Sequence, residues 1–290
     1  MAITVTEPLG PSIYHVLDEL IDQPFPVAVA RRVAAQVAKG LSYIHSRGVV
    51  HGDLHLGNIL FRIPNLDLWT PEQVFSYLGE PEKVEIKRHD GQPLTSTTPV
   101  YAVHAPLVYK LEPLFLTEDC AIRICDFGEA FHPPAPEKRL HIPVWYAAPE
   151  ISFQDTAGRW SDIWALACVF YRIFGITELF PSYHGRSDEV LMYAVRALGK
   201  LPERWWRGWE KRSIYFAEDG TFQPTDDERW KNYKEKTEDL KSRMGEDLVG
   251  LGAGEMVEFE AVLRRMLRFE PEERIEAGEV LRLLPKAWAA

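Results

Sequence analysis

The chain has 290 residues, 46% hydrophobic and 26% charged, the profile of a globular protein with one large domain or two small ones. Its net charge of −10, from 33 basic and 43 acidic residues, argues against a nucleic-acid partner and suits a basic one. No run approaches the ~20 apolar residues of a membrane span, and the start MAITVTEPLGPSIYHVL lacks the basic and apolar regions of a signal peptide. The three scattered cysteines, Cys120, Cys125 and Cys168, form no CxxC pair, which argues against structural zinc and for a reducing, intracellular setting, cytoplasmic or nuclear.

In chain order, the first strong element is a helix predicted over 26–47, where Val29, Val33, Val37, Leu41 and Ile44 build one apolar face. Gly48 stops it and Val49-Val50 start an extended stretch. Residues 62–118 hold seven prolines and no long periodic run, so they read as an insertion. Ala121–Cys125 is predicted as a buried strand. A very apolar helix follows over 160–175, with Ile163, Leu166, Ala167, Phe170 and Phe174 on one side. Ser187-Asp188 is predicted to cap a helix running to Leu198. Residues 203–244 are charged and Trp-rich, helical in part, and helical patterns return at 255–268 and 276–284. The pattern is that of a mainly α domain with short β-strands.

The sharpest chemical signal is Val49-Val50-His51-Gly52-Asp53-Leu54-His55-Leu56-Gly57-Asn58-Ile59-Leu60. Phosphoryl transfer needs a carboxylate to accept the proton of the attacking hydroxyl and an amide oxygen to hold Mg²⁺ nearby. Asp53 and Asn58 suit these two roles, although the pattern alone also fits a capped turn. Asp126 follows 68 residues after Asn58, in Cys125-Asp126-Phe127-Gly128 behind a hydrophobic strand. A carboxylate there can reach a metal that bridges phosphates. Ala148-Pro149-Glu150, Ser161-Asp162-Ile163-Trp164 and Leu267-x-x-Glu270-Pro271-x-x-Arg274 complete the set.

With these motifs in this order the chain resembles the eukaryotic protein-kinase family. The His141–Tyr146 run, the 62–118 insertion and Gly79-Glu80-Pro81 resemble its SR-protein-kinase-like group. The resemblance implies a kinase domain over 1–290, consisting of the large C-terminal lobe from the hinge onward. It implies ATP and Mg²⁺ as cofactors and a protein hydroxyl as acceptor, in a basic, Arg/Ser-rich substrate. Thr4–Ile13 looks like the hinge, with Glu7 and Leu9 along the adenine edge and Leu60 beneath it. Glu150 is expected to form a buried ion pair with Arg274, and Asp162 to hydrogen-bond the backbone around His51-Gly52.

The chain departs from the family pattern in several places. Only Met1-Ala2-Ile3 precede the hinge-like stretch, so the expectation is an absent N-lobe and a bared roof open to a separate small lobe or another partner. His55 stands where these kinases carry a lysine and is assigned to the catalytic set beside Asp53. Gly52 replaces the arginine that reads a phosphorylated loop, and no Ser or Thr occurs from Phe127 to Pro149. Pro143 stands where many kinases have a Thr. Three readings follow: a Ser/Thr protein kinase impaired in this form, a non-catalytic kinase-like binding module, or a small-molecule phosphotransferase, which HGDLHxGN also fits.

Overall fold

Alternation and helical periodicity account for most of the architecture. The computed structural model describes residues 6–20, 23–104, 112–134, 140–223 and 239–288. Thr4 and Val5 of the hinge-like stretch, and parts of the 203–244 and 126–150 segments, lie outside these residues. Strand β1 (Leu9–Ser12) runs into helix α1 (Ile13–Glu19), which Ser12 caps by accepting from the His15 N–H. Helix α2 (Val27–Ser46) buries the predicted apolar face and adds Ala30, Ala34 and Ala38 to it. Gly48, at φ +72°, turns the chain after it.

Strand β2 (Ile59–Arg62) follows the Asp53 loop. The insertion is not featureless. It holds α3 (Pro71–Leu78), a hairpin of β3 (Lys83–Glu85) and β4 (Tyr101–Val103), and the single turn α4 (Glu112–Phe115). Pro71 sits in the first turn of α3, where its missing N–H costs nothing, and Thr70 and Gln73 cap the helix reciprocally. Strand β5 (Ile122–Ile124) completes an antiparallel sheet ordered β1-β2-β5. Ile59 pairs with Ile124 and Phe61 with Ile122, on the face that meets the helices. Leu60 and Arg123 pair on the other face. Helices thus cover one side of β5 only, and Arg123 is exposed, so the expected fully buried strand is a half-buried one.

The second half is helical. It comprises α5 (Pro149–Ser152), α6 (Arg159–Phe174), α7 (Ser187–Leu198), α8 (Glu203–Gly208), α9 (Arg212–Tyr215), α10 (Leu240–Asp247), α11 (Ala253–Met266) and α12 (Ala277–Leu283). Helix α6 is buried on every side from Ser161 to Tyr171, as an all-round apolar sequence requires. It packs on α2 and α11, and α12 packs on α2 and α11 in turn. Ser187 is the first residue of α7 rather than its cap. Arg186 holds the cap position with no side-chain bond, and Asp188 accepts instead from the Trp209 indole (2.9 Å) and Lys211 (2.6 Å). A tertiary partner therefore outbids the local cap. Among the described residues no helix is long and apolar enough to cross a membrane.

Candidate active site

The loop between α2 and β2 is built around a fully buried imidazole. His51 donates from Nε2 to the Cys125 carbonyl at 3.0 Å and accepts at Nδ1 from the Asp53 N–H at 3.3 Å. One ring thereby ties the Asp53 loop to the end of β5. From the other side Asp162, near the start of α6, accepts from the His51 N–H (2.8 Å) and the Gly52 N–H (2.9 Å). Its Oδ2 also meets His45 Nε2 at 2.9 Å. The expected backbone role of Asp162 is present. His45 is a further partner, its only sequence signal being a polar residue in the last turn of an apolar helix.

Gly52 has a conformational reason to be glycine. Its φ is +77°, and a Cβ there would stand 2.8 Å from the Glu129 carbonyl oxygen. An arginine at this position would need a different backbone. Val50 and Phe131 exchange two backbone hydrogen bonds beside it, so the segment after Asp126 lies directly against the loop.

Asp53 and Asn58 meet. The Asn58 amide donates to the Asp53 carbonyl and to Asp53 Oδ2, both at 3.0 Å. The side-chain Oδ1 of Asn58 accepts no hydrogen bond among the described residues. Asp53 Oδ1 is buried and has no hydrogen-bond partner among the described residues, a costly arrangement unless something binds there. His55 approaches the same carboxylate, with Nε2 3.5 Å from Asp53 Oδ2. Tyr146 lies behind His55, ring centroids 5.8 Å apart, and burial pushes its phenol well above its ordinary range.

Asp126 is placed by the sheet. Cys125 N–H donates to the Asn58 carbonyl at 2.8 Å, so the residue after it emerges beside the start of β2. Asp126 is exposed, adopts the left-handed region at φ +59°, and accepts from the Gly128 N–H through Oδ1 at 3.1 Å. Phe127 is half exposed and tilts against His51, centroids 5.0 Å apart. Among the described residues no group of three His, Cys, Asp or Glu could hold a metal. Two oxygen donors with the remainder from phosphate and water is the usual Mg²⁺ arrangement, which Asn58 and Asp126 fit in kind.

Glu7, Leu9 and Leu60 lie apart from these groups, at the sheet. Leu9 pairs with Arg62 across β1 and β2, while Leu60 is half-buried between Ser12 and Arg123. The Glu7 carboxylate is engaged by Arg123 (2.7 Å) and Arg62 (3.3 Å), which hold it below its ordinary value. Any adenine contact at Glu7 thus falls to its backbone.

Beneath the site, Glu150 and Arg274 form a two-pronged ion pair, both contacts 2.7 Å, with both side chains fully buried. Arg274 also donates to the carbonyls of Trp160, Arg268 and Phe269, and Ser161 donates to Glu150 at 2.9 Å. Every polar edge of the pair is answered, which is what makes its burial tolerable. Ser161 was visible in the sequence only as the neighbour of Asp162.

Comparisons with known proteins bear on the family and the fold. The chain is 23% identical over 286 residues to the serine/threonine-protein kinase AFC2 of Arabidopsis thaliana, covering 96% of this chain and 57% of that protein. It is 23% identical over 276 residues to the human dual specificity protein kinase CLK2 (95% and 46%), and 25% over 281 residues to human CLK1 (96% and 48%). The chain therefore spans about half the length of the curated relatives it matches. The crystal structure of the PF14_0431 kinase domain superposes with a TM-score of 0.61 at 20% identity, covering 95% of this chain and 70% of that one. Residues 107–283 match the protein kinase domain. That stretch takes in Asp126, Glu150, Asp162 and Arg274 and begins after the Asp53 loop, which is joined to it by hydrogen bonds donated to Asp162 and to the Cys125 carbonyl. The chain belongs to the protein kinase family.

Proposed function

We propose that this chain is the large lobe of a Ser/Thr protein kinase that transfers the γ-phosphoryl of ATP to a hydroxyl of a basic, Arg/Ser-rich protein. The observation that carries this reading is the divided state of the Asp53 carboxylate. Asn58 holds Oδ2, and buried Oδ1 has no partner among the described residues. An acceptor hydroxyl arriving at Oδ1 finds a base already oriented, and positioning is most of what phosphoryl transfer asks of a protein.

In this reading Asn58 Oδ1 and the Asp126 carboxylate hold Mg²⁺, which when bound would neutralise phosphate charge. The backbone at Glu7 and Leu9 offers the adenine edge, and Leu60 lies beneath it. His55 belongs to the catalytic set through its approach to Asp53. The segment after Asp126 works without phosphorylation, because Gly52 offers no receiving cation and Phe127–Pro149 hold no Ser or Thr. The net charge of −10 favours a basic substrate.

The test has three arms. Titration with labelled ATP and Mg²⁺ measures affinity. Phosphorylation of an Arg/Ser-rich peptide is then compared with a panel of amino-alcohols and aminoglycosides, with and without an added small lobe. Peptide phosphorylation lost in Asp126→Ala and Asp53→Ala supports the reading. Preference for small alcohols points to a small-molecule phosphotransferase. Peptide binding without turnover in any combination points to a binding module.

A further inference from the structure

We propose that His55 is a positioning residue that fixes the Asp53 carboxylate through an uncharged ring N–H, rather than a cation placed on the phosphoryl group. This inference rests on the reading of Asp53 as the base.

The orientation of the ring follows from its backbone contact. Nδ1 accepts from the Gly57 N–H at 3.0 Å. A nitrogen that accepts cannot also carry a proton, so the ring holds its proton on Nε2. That nitrogen is the one facing Asp53 Oδ2, at 3.5 Å. The separation is long for a hydrogen bond, and catalytic hydrogen bonds commonly tighten only when substrate is bound. Oδ2 thus accepts from the Asn58 amide and faces the His55 ring, while buried Oδ1 meets neither. The two oxygens of one carboxylate are made unequal.

The seat of the ring is built into the chain. A Cβ at position 57 would stand 2.7 Å from His55 Cε1 and 2.9 Å from Nδ1, so only glycine lets the imidazole fold back onto that N–H. The Tyr146 ring packs against the imidazole, centroids 5.8 Å apart. His55 and Gly57 therefore work as a pair. A flexible lysine would place a mobile charge here. The seated ring places a fixed donor with no permanent charge, aimed at the base.

The inference is tested by NMR on the ¹⁵N,¹³C-labelled 290-residue chain near neutral pH. Long-range ring correlations for His55, assigned by their loss in His55→Gln, are expected to show a proton on Nε2 and a bare Nδ1. A proton on Nδ1, or on both nitrogens, overturns the proposal. The Asp53 ¹³Cγ line is expected to broaden or split in His55→Leu and to return to a single sharp line in His55→Gln. An unchanged line in His55→Leu overturns it. Gly57→Ala should displace the ring signals and reproduce the broadening while the circular dichroism spectrum stays native. Retained ring signals in that variant also count against it. Should His55→Leu fail to fold, the native ring correlations and Gly57→Ala still decide. None of these signals needs turnover. A failed kinase assay would sink the functional reading without touching them, and an Nδ1–H ring would sink this inference while leaving Asp53 as the base.

Discussion

The platform under the Asp53 loop and the insertion over 62–118 are opposite ways of holding a chain in place. In the platform the polar groups are buried: His51 and Glu150 at 0% exposure, Asp162 at 2% and Arg274 at 3%. Each is answered by partners more than 70 residues away in sequence. In the insertion α3 buries no residue, and β3 and β4 are exposed throughout. Leu66, Trp69, Tyr77 and Leu78 rest partly buried on the core's edge, and the remaining contacts are local. Trp69 stacks on Tyr77 at 4.8 Å, Thr70 and Gln73 cap α3, and Lys83 lies over the Tyr101 ring. Phe115, buried and stacked on Phe61, carries the insertion's return back into the core, with Leu114 and Leu116 packed against the core on either side of it. Desolvated hydrogen bonds are costly to break because water cannot replace them, whereas exposed contacts trade almost evenly with water. The platform should therefore be intolerant of change and the insertion indifferent to it.

The largest expected effect is at the buried ion pair. Arg274→Ala leaves Glu150 charged and fully buried, and urea denaturation should show a loss of about 3–5 kcal/mol. A loss under about 1 kcal/mol would erase the contrast between the two regions. Asp162→Ala comes next, since it orphans the His51 and Gly52 N–H groups together. A loss of about 2–3 kcal/mol is expected in the same assay, and any phosphoryl transfer should fall with it. Gly52→Ala is smaller, about 1–2 kcal/mol, from the left-handed backbone and the approach to Glu129.

An acid titration of stability sharpens the comparison at a third place, where α11 meets α2. Burial pushes the Glu255 carboxyl up, but the Arg31 guanidinium, the Trp288 indole and the Gly252 N–H together hold it below its ordinary 4.5. A depressed carboxylate stabilises the fold fully above pH 4.5 and loses that contribution as pH falls through its lowered value. Glu255→Gln should therefore cost stability at neutral pH and converge on the wild type in acid, followed by thermal melting at each pH. Parallel curves would show that the pair contributes nothing. The smallest effect is in the hairpin. Val84→Thr with Val103→Thr should shift stability by no more than ~0.5 kcal/mol per site, because both side chains already face water. A larger loss would mean that the hairpin face is covered.

By itself the sequence determined the long helices and the mainly α class, while the pairing of Glu150 with Arg274 and the backbone role of Asp162 were implied by the family resemblance its motifs carry. Helices such as α2 announce themselves because their apolar period is local and is repeated over many turns. The buried pairs were legible only through motif order, since Glu150 and Arg274 stand 124 residues apart and no local pattern joins them. Tertiary structure decided the rest. Arg123 was placed in a buried strand on apolar pattern alone, and the sheet leaves its face open for Glu7. Ser187-Asp188 looked like a cap until Trp209 and Lys211 claimed Asp188. The direction of the His55 ring and the need for glycine at position 52 arise from close approaches to Gly57, Asp53 and Glu129, distances that only the folded chain defines. Periodicity and propensity are properties of neighbours in sequence. A hydrogen bond between buried groups is a property of neighbours in space, and at this site those neighbours come from three separate stretches of chain.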